Sequence, residues 1–261
     1  MIVCKICNSD MSLVCKSSKD KYFKCKYCRF WECRTLDEQE IYASYDDYSV
    51  GDKGYIDNRK IRVKEAKRIL QHKFNCISLN NDIKSFLDIG CSEGFYVEAA
   101  EQLGLDSCGI DVPSPNNDRC RELGLNVLST DEKLPERAYD FLLLRHTIEH
   151  IPFFIDVIQS YLHLLSDNGV LCIETPNQGG LFTALTAPSL TNDRFLRHLY
   201  PPTHVNGFEP KTYRALAKKL GLNVEKIITY SGASPDWFPN YQGTSLKRFA
   251  HNFSAKLGRG E

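Results

Sequence analysis

The sequence has no excess of charge of either sign: 33 Lys and Arg balance 33 Asp and Glu over 261 residues. A neutral chain carries no polyelectrolyte tail and is not built chiefly to grip a phosphate backbone. Long hydrophobic runs are missing too, since no stretch approaches the ~18 consecutive apolar residues of a membrane span. The opening Met1-Ile2-Val3-Cys4-Lys5 lacks the basic-then-apolar plan of a secretory signal, so the expected compartment is the cytoplasm. Collagen-like repeats are absent, and 42% hydrophobic with 25% charged residues is a folding composition rather than a disordered one. Such a length accommodates one domain of about 200 residues plus something small.

Cysteine, by contrast, is abundant: eleven in all, six of them between residues 4 and 33. In a reducing compartment paired cysteines are metal ligands more often than disulfides. Cys4-Lys-Ile-Cys7 and Cys25-Lys-Tyr-Cys28 are two CxxC pairs with 17 residues between them, the spacing of a four-cysteine zinc site. Segments 11–16 and 21–24 can form the hairpin that joins the pairs. This predicts a zinc ribbon over residues 1–34, stabilised by its structural Zn2+; the alternative is redox thiols or an unmetallated hairpin. A closed four-thiolate site leaves no position for water, so catalysis is expected elsewhere, and Cys15 and Cys33 are expected to be structural. The module carries a net charge of +5. Residues 35–80 read as a helical connector, with Ile61, Val63, Ala66, Ile69 and Leu70 at helical spacing. Its tyrosines, Tyr42, Tyr45, Tyr48 and Tyr55, suit either a lid over a ligand or a surface that packs on the next domain.

From residue 85 onward, apolar runs at 85–89, 107–111, 125–129, 139–144, 170–174 and 223–229 read as strands. Helical patterns at 93–103, 116–123, 153–165 and 211–220 fill most gaps. The alternation predicts an α/β fold: a Rossmann-like, doubly wound, mostly parallel sheet with helices on both faces, over residues 81–230, preceded by the small ribbon. Residues 231–261 read as a loop followed by a basic helix over 245–257, so a final, seventh strand is either absent or supplied from elsewhere.

Ligands of such sheets bind beyond the carboxyl ends of the strands. There the first strand runs into Asp88-Ile-Gly90-Cys-Ser92-Glu-Gly94, whose glycines permit a tight turn beneath a ligand, with a carboxylate beside it. The second strand ends at Asp111, 21 residues after Gly90, where an acidic side chain can accept both ribose hydroxyls of an adenosine. Two other readings compete. Gly90-Cys-Ser92-Glu-Gly94 also fits a G-x-S-x-G nucleophile elbow, but that elbow strand normally follows several others, and a hydrolase gives Asp88 and Asp111 no task. A nicotinamide site lacks the third glycine of G-x-G-x-x-G.

Over about residues 82–230 the chain resembles the class I S-adenosylmethionine-dependent methyltransferases. Residues 88–94 look like the family's glycine-rich first motif, with serine replacing the middle glycine, and Gly109-Ile-Asp111 looks like the second. The resemblance implies S-adenosylmethionine as cofactor and S-adenosylhomocysteine as product, with Asp88 and Ser92 in the loop. Gly90 and Gly94 would face the methionine part, Asp111 the ribose and Asp131 the adenine amine; Asp131 also reads as a solvated turn residue. Arg145-His146-Thr-Ile-Glu149-His150 resembles the Glu-His segment of one branch, followed by Glu174-Thr-Pro176-Asn177 and Pro201-Pro-Thr-His204. On a helical turn His146, Glu149 and His150 would share one face. In quinone-biosynthesis and small-RNA-end methyltransferases a similar Glu/His set with a later histidine holds a divalent ion. Two mechanisms follow: His150, supported by Glu149, removes the acceptor's proton, or Glu149, His150 and His204 hold a second metal that lowers the acceptor's pKa. Methyltransferases with an N-terminal zinc ribbon and this pattern resemble proteins of surface-polysaccharide and sugar-nucleotide pathways, which implies a small-molecule or carbohydrate acceptor. RNA is the runner-up partner, since Tyr22, Phe23, Tyr27, Phe30 and Trp31 lie among the ribbon's basic residues. A cofactor-binding module without catalysis is the third reading.

Overall fold

Two CxxC turns separated by a polar hairpin do fold as a small antiparallel sheet: β1 (Ile2–Val3), β2 (Asp10–Lys16), β3 (Asp20–Cys25) and β4 (Trp31–Thr35). The computed structural model describes residues 2–16, 20–35, 58–77, 83–133, 138–180, 199, 201–231 and 251–259. The tyrosine-rich part of the expected connector and the loop with Trp237 and Phe238 lie outside the described residues. The rest of that connector is α1 (Arg59–Ile77), which buries Val63, Ala66 and Leu70 against Phe86, Ala99 and Phe141. It is thus a layer of the α/β domain rather than a link to it.

That domain comprises β5 (Ser85–Ile89), α2 (Phe95–Glu101), β6 (Asp106–Asp111), α3 (Pro115–Glu122), β7 (Val127–Ser129), β8 (Tyr139–Arg145), α4 (Phe154–Tyr161), β9 (Leu165–Pro176), β10 (Asn206–Gly207), α5 (Pro210–Leu220), β11 (Leu222–Ser231) and β12 (His251–Arg259). Seven strands form one sheet in the order β11-β12-β9-β8-β5-β6-β7, and all but β11 and β12 pair in parallel. A parallel sheet has both faces covered, which is why Phe141–Leu144 of β8 and Val170–Ile173 of β9 are unbroken apolar runs. One face carries Leu87, Ile110, Leu142, Leu144, Leu171 and Ile173. The other carries Phe86, Phe141, Leu143, Val170 and Cys172. Each such side chain, fully buried, contributes about 1.5–3 kcal/mol. Pro210 opens α5 behind the capping Glu209, and left-handed Gly221 (φ 69°) ends it. Among the described residues no helix is long and apolar enough to cross a membrane.

The C-terminal expectation is corrected. His251–Arg259 is a strand, not part of a basic helix, and it enters the sheet between β9 and β11, antiparallel to both. Phe253, Ala255 and Leu257 alternate with Asn252, Ser254 and Lys256, a period of two, and the edges of β9 and β11 offer such a strand hydrogen-bonding partners on both sides. The topological switch lies between β5 and β8, where the chain, having gone outward through β6 and β7, returns to the other side of β5. A ligand crevice opens at such a point.

Candidate active site

At the switch, three residues of the loop after β5 take left-handed backbone: Gly90 (φ 82°), Ser92 (φ 47°) and Gly94 (φ 70°). Gly90 is required by close approach as well as by its torsion. A Cβ there would lie 2.6 Å from Thr147 Oγ1, so the glycine loop rests directly on the turn that follows β8. Ser92 adopts a conformation that costs an L-residue about 1–2 kcal/mol. Its N–H donates to Asp111 at the end of β6, whose other oxygen accepts the Val112 N–H at 2.7 Å. Asp111 therefore ties the glycine loop to the second strand end, and burial raises its carboxyl above the ordinary range. Behind it, burial and then the nearby Asp111 push buried Asp88 up to about 7. Asp131 is exposed on the turn after β7.

Sequence reasoning missed the groups around this crevice. Ser129 stands in register with Asp111 on the neighbouring strand, and its hydroxyl and the Asn117 amide nitrogen are buried without a hydrogen-bond partner among the described residues. Asn117 carried no signal beyond a helix start. Glu132, next to Asp131, accepts the Ser129 N–H at 2.7 Å and pairs with Arg121 at 2.7 Å.

Beyond β8 the backbone does not form the helical turn expected at 146–150. His146 is left-handed (φ 52°), so it does not share a helical face with Glu149 and His150. It still reaches Glu149, with His146 Nδ1 donating to Glu149 Oε1 at 3.2 Å. Glu149 is 1% exposed, and its Oε2 has no hydrogen-bond partner among the described residues. Burial acts to raise its carboxyl, but the His146 hydrogen bond and the neighbouring His146, His150 and His204 hold it below its ordinary value. His150 Nδ1 donates to the Thr203 carbonyl at 2.9 Å, because a carbonyl oxygen can only accept. The His150 and His204 rings meet edge to face at 4.5 Å. Donor atoms of Glu149, His150 and His204 all lie within 4.8 Å of one another, so these three can hold a divalent cation. Sequence separates His204 from His150 by 54 positions; the fold removes the distance.

The floor of the site is ionic. Buried Glu174, at the end of β9, pairs with Lys73 of α1 at 2.6 Å and with Arg145 Nε at 3.2 Å, and lies 3.7 Å from His146 Nε2. Burial would raise Glu174, yet Arg145 and Lys73 hold it well below the carboxylate range. Breaking one partner of such a buried group costs about 3–5 kcal/mol. Lys73 had no assigned role in the sequence reading.

In the ribbon, Cys4 and Cys28 Sγ are 3.5 Å apart, Cys7 and Cys25 Sγ 3.4 Å, and all four lie within 4.8 Å. A tetrahedral zinc with ~2.3 Å bonds to sulfur needs S···S separations near ~3.8 Å, so the set fits. Both knuckles have one shape. Asn8 (φ 60°) and Arg29 (φ 67°), each four residues after the first cysteine of its pair, return an N–H to that cysteine's carbonyl at 3.0 and 3.1 Å.

Residues 59–227 match a family described as a methyltransferase domain. The chain belongs to that family. Among curated relatives it is 30% identical over 135 residues to the ubiquinone biosynthesis O-methyltransferase of Histophilus somni (strain 2336), covering 46% of this methyltransferase-family chain and 56% of the relative. The same-named protein of Actinobacillus pleuropneumoniae serotype 7 (strain AP76) is 28% identical over 109 residues, 36% of the chain and 47% of the relative. The chain thus spans about half the length of the curated relatives it matches. In fold it is similar to a SAM-dependent methyltransferase from Archaeoglobus fulgidus, with TM-score 0.54 and 17% identity over 79% of this chain and 99% of the other. The plantazolicin methyltransferase BpumL, in complex with SAH, gives 0.53 and 16% over 86% and 91%.

Proposed function

We propose that the chain is an S-adenosylmethionine-dependent methyltransferase acting on a hydroxyl or amine of a small polar acceptor, a sugar or sugar nucleotide being the class, in the cytoplasm. One observation carries the reading: Gly90 rests on Thr147, so the loop anchored by Asp111 adjoins the turn that bears Glu149 and His150 of the Glu149-His150-His204 cluster. S-adenosylmethionine supplies the methyl group and leaves as S-adenosylhomocysteine. The chain's own residues bind and deprotonate. Asp111 accepts the ribose hydroxyls, and His150 Nε2 takes the acceptor's proton as its oxygen or nitrogen attacks the methyl carbon. Glu149, buried beside His150, favours the imidazolium that results. The unpartnered Glu149 Oε2 favours a second reading, in which Glu149, His150 and His204 hold a divalent cation that lowers the acceptor's pKa. Structural zinc belongs at Cys4, Cys7, Cys25 and Cys28. That the relatives are named for O-methylation and for a plantazolicin substrate supports a small acceptor. Of the aromatics that suggested RNA, Tyr22, Phe23 and Phe30 are buried and Trp31 Nε1 is engaged by Glu209 at 2.8 Å, which weighs against a stacking surface, while Tyr27 is exposed. Lys5 and Arg34 pair with Glu32, and Lys24 and Arg29 with Glu209. Ser92 as a hydrolytic nucleophile has no support in a chain of this family.

Calorimetric titration with S-adenosylhomocysteine, followed by transfer of labelled methyl to panels of sugar nucleotides, phenols and short RNAs, tests the proposal. Binding with transfer to a sugar nucleotide is expected; no binding by folded protein overturns it, and binding without any transfer leaves a non-catalytic module. Asp88 adds a pH prediction. With its carboxyl raised to about 7, the ionised form is penalised by burial and by Asp111, and the cofactor's ammonium would relieve that penalty. Affinity for S-adenosylhomocysteine should therefore rise as pH increases from about 5.5 to 7.5, and Asp88→Asn should flatten the profile. A profile unchanged by that substitution would remove Asp88 from the site.

A further inference from the structure

The ribbon's sheet does not end with the ribbon. Its fifth strand is β10, in which Asn206 and Gly207 stand in register with Glu32 and Trp31 of β4. Immediately before β10, the Cys33 N–H donates to the Val205 carbonyl at 2.8 Å, and the residue before Val205 is His204. The other side of this segment holds the turn that carries the acceptor site. Val205 and Asn206 N–H both donate to the Glu149 carbonyl, at 2.9 and 3.0 Å. Asn206 Nδ2 donates to the Ile148 and Ile151 carbonyls at 3.0 and 2.7 Å. Just past β10, the Glu209 carboxylate accepts from Lys24 Nζ at 2.7 Å, Trp31 Nε1 at 2.8 Å and Arg29 Nε at 3.1 Å, three ribbon groups on one side chain. Thr212 donates to the carbonyl of Cys28, itself one of the four thiolate residues, at 3.0 Å. Phe30 packs between Phe154 and Phe208, with ring centroids at 5.7 and 5.6 Å. Gly207 approaches the ribbon closely, since a Cβ there would lie 3.0 Å from Trp31 Cβ.

We propose that the four-cysteine ribbon is the positioning element of the acceptor site, not a substrate-recruiting module. The bound metal fixes the Cys25–Cys28 knuckle and β4; β4 fixes Val205 and Asn206; and these set His204 against His150 and Glu149. Glu209 is a positioning residue, which clamps the segment from its far end. What the site does rests on the methyltransferase reading; the mechanical coupling does not. Glu149, His150 and His204 come from two loops that share no secondary structure of their own, and backbone hydrogen bonds through β10 give them a common frame.

The test uses the full chain, loaded with zinc. In one variant Lys24→Met and Arg29→Met together remove both ion pairs of Glu209, leaving only its hydrogen bond from Trp31, while all four cysteines remain; in the other, Cys28→Ser removes a metal ligand. Hydrogen exchange over residues 203–209 and 148–151, read by mass spectrometry, should accelerate about tenfold or more in both. Affinity for S-adenosylhomocysteine should stay within about twofold, because the clamp lies apart from the Asp111 loop, and kcat should fall with KM little changed. Lys24→Arg with Arg29→Lys should restore slow exchange. Unchanged exchange in the double methionine variant, with KM raised and kcat intact, would overturn the proposal and make the ribbon a binding surface. If Cys28→Ser does not fold, the double variant decides alone. A wild-type protein that bound no S-adenosylhomocysteine would refute the proposed activity, while the exchange comparison would still decide the coupling.

Discussion

Replacing His150 by alanine is expected to lower kcat by about 10²–10⁴-fold, the usual contribution of a positioned general base, with S-adenosylhomocysteine affinity within about twofold of wild type. The split follows from the geometry. His150 donates through Nδ1 to the Thr203 carbonyl and faces His204, whereas the glycine loop meets the turn through Thr147. Steady-state kinetics paired with calorimetry would read both halves, and equal loss of turnover and cofactor affinity would reduce His150 to a structural residue. His204→Ala separates the two mechanisms. If His150 acts alone as the base, the loss at His204 should be smaller and activity should survive a chelator that spares the ribbon zinc. If Glu149, His150 and His204 hold a cation, the two alanine variants should fail alike, and added divalent metal should restore a chelated wild type.

Asp111→Ala should weaken S-adenosylhomocysteine binding by about 10- to 150-fold, which corresponds to the ~1.5–3 kcal/mol of hydrogen bonds to a charged acceptor. The structure refines how that loss is to be read. Asp111 also receives the Ser92 and Val112 N–H groups, so alanine removes an anchor of the glycine loop together with the ribose contact. Asp111→Asn keeps one acceptor oxygen for the loop but cannot accept as a carboxylate, and it should recover part of the affinity and most of the folding stability. Titration of the three proteins alongside thermal unfolding checks this; a change in affinity below twofold for alanine would place the ribose elsewhere.

The local patterns were readable because they depend on short-range chemistry. Glycines at 90 and 94 and a carboxylate at 111 mark a strand-to-loop switch whatever surrounds them, and the observed β5 and β6 end where those residues require. Pro210 and Gly221 bracket α5 for the same reason. The errors arose where a residue's conformation is imposed from outside. His146 was placed on a helical face by its spacing to Glu149, yet the turn must deliver Glu149 to His204 and twists His146 to φ 52°. The basic character of residues 245–257 suggested a helix, whereas His251–Arg259 is drawn into a strand by two sheet edges that no local window contains.

By itself, then, the sequence determined most strands and helices of the α/β core, the glycine loop of Asp88, Gly90, Ser92 and Gly94 with Asp111 at the next strand end, and the two CxxC pairs at Cys4, Cys7, Cys25 and Cys28, because each is a matter of spacing along the chain. The tertiary structure decided which distant groups meet: Lys73 with Glu174, His204 with His150, and Glu209 with Lys24, Arg29 and Trp31. Such pairings are set by which strand edges and helix faces bury against one another, a property of the whole packed core that a one-dimensional pattern does not contain.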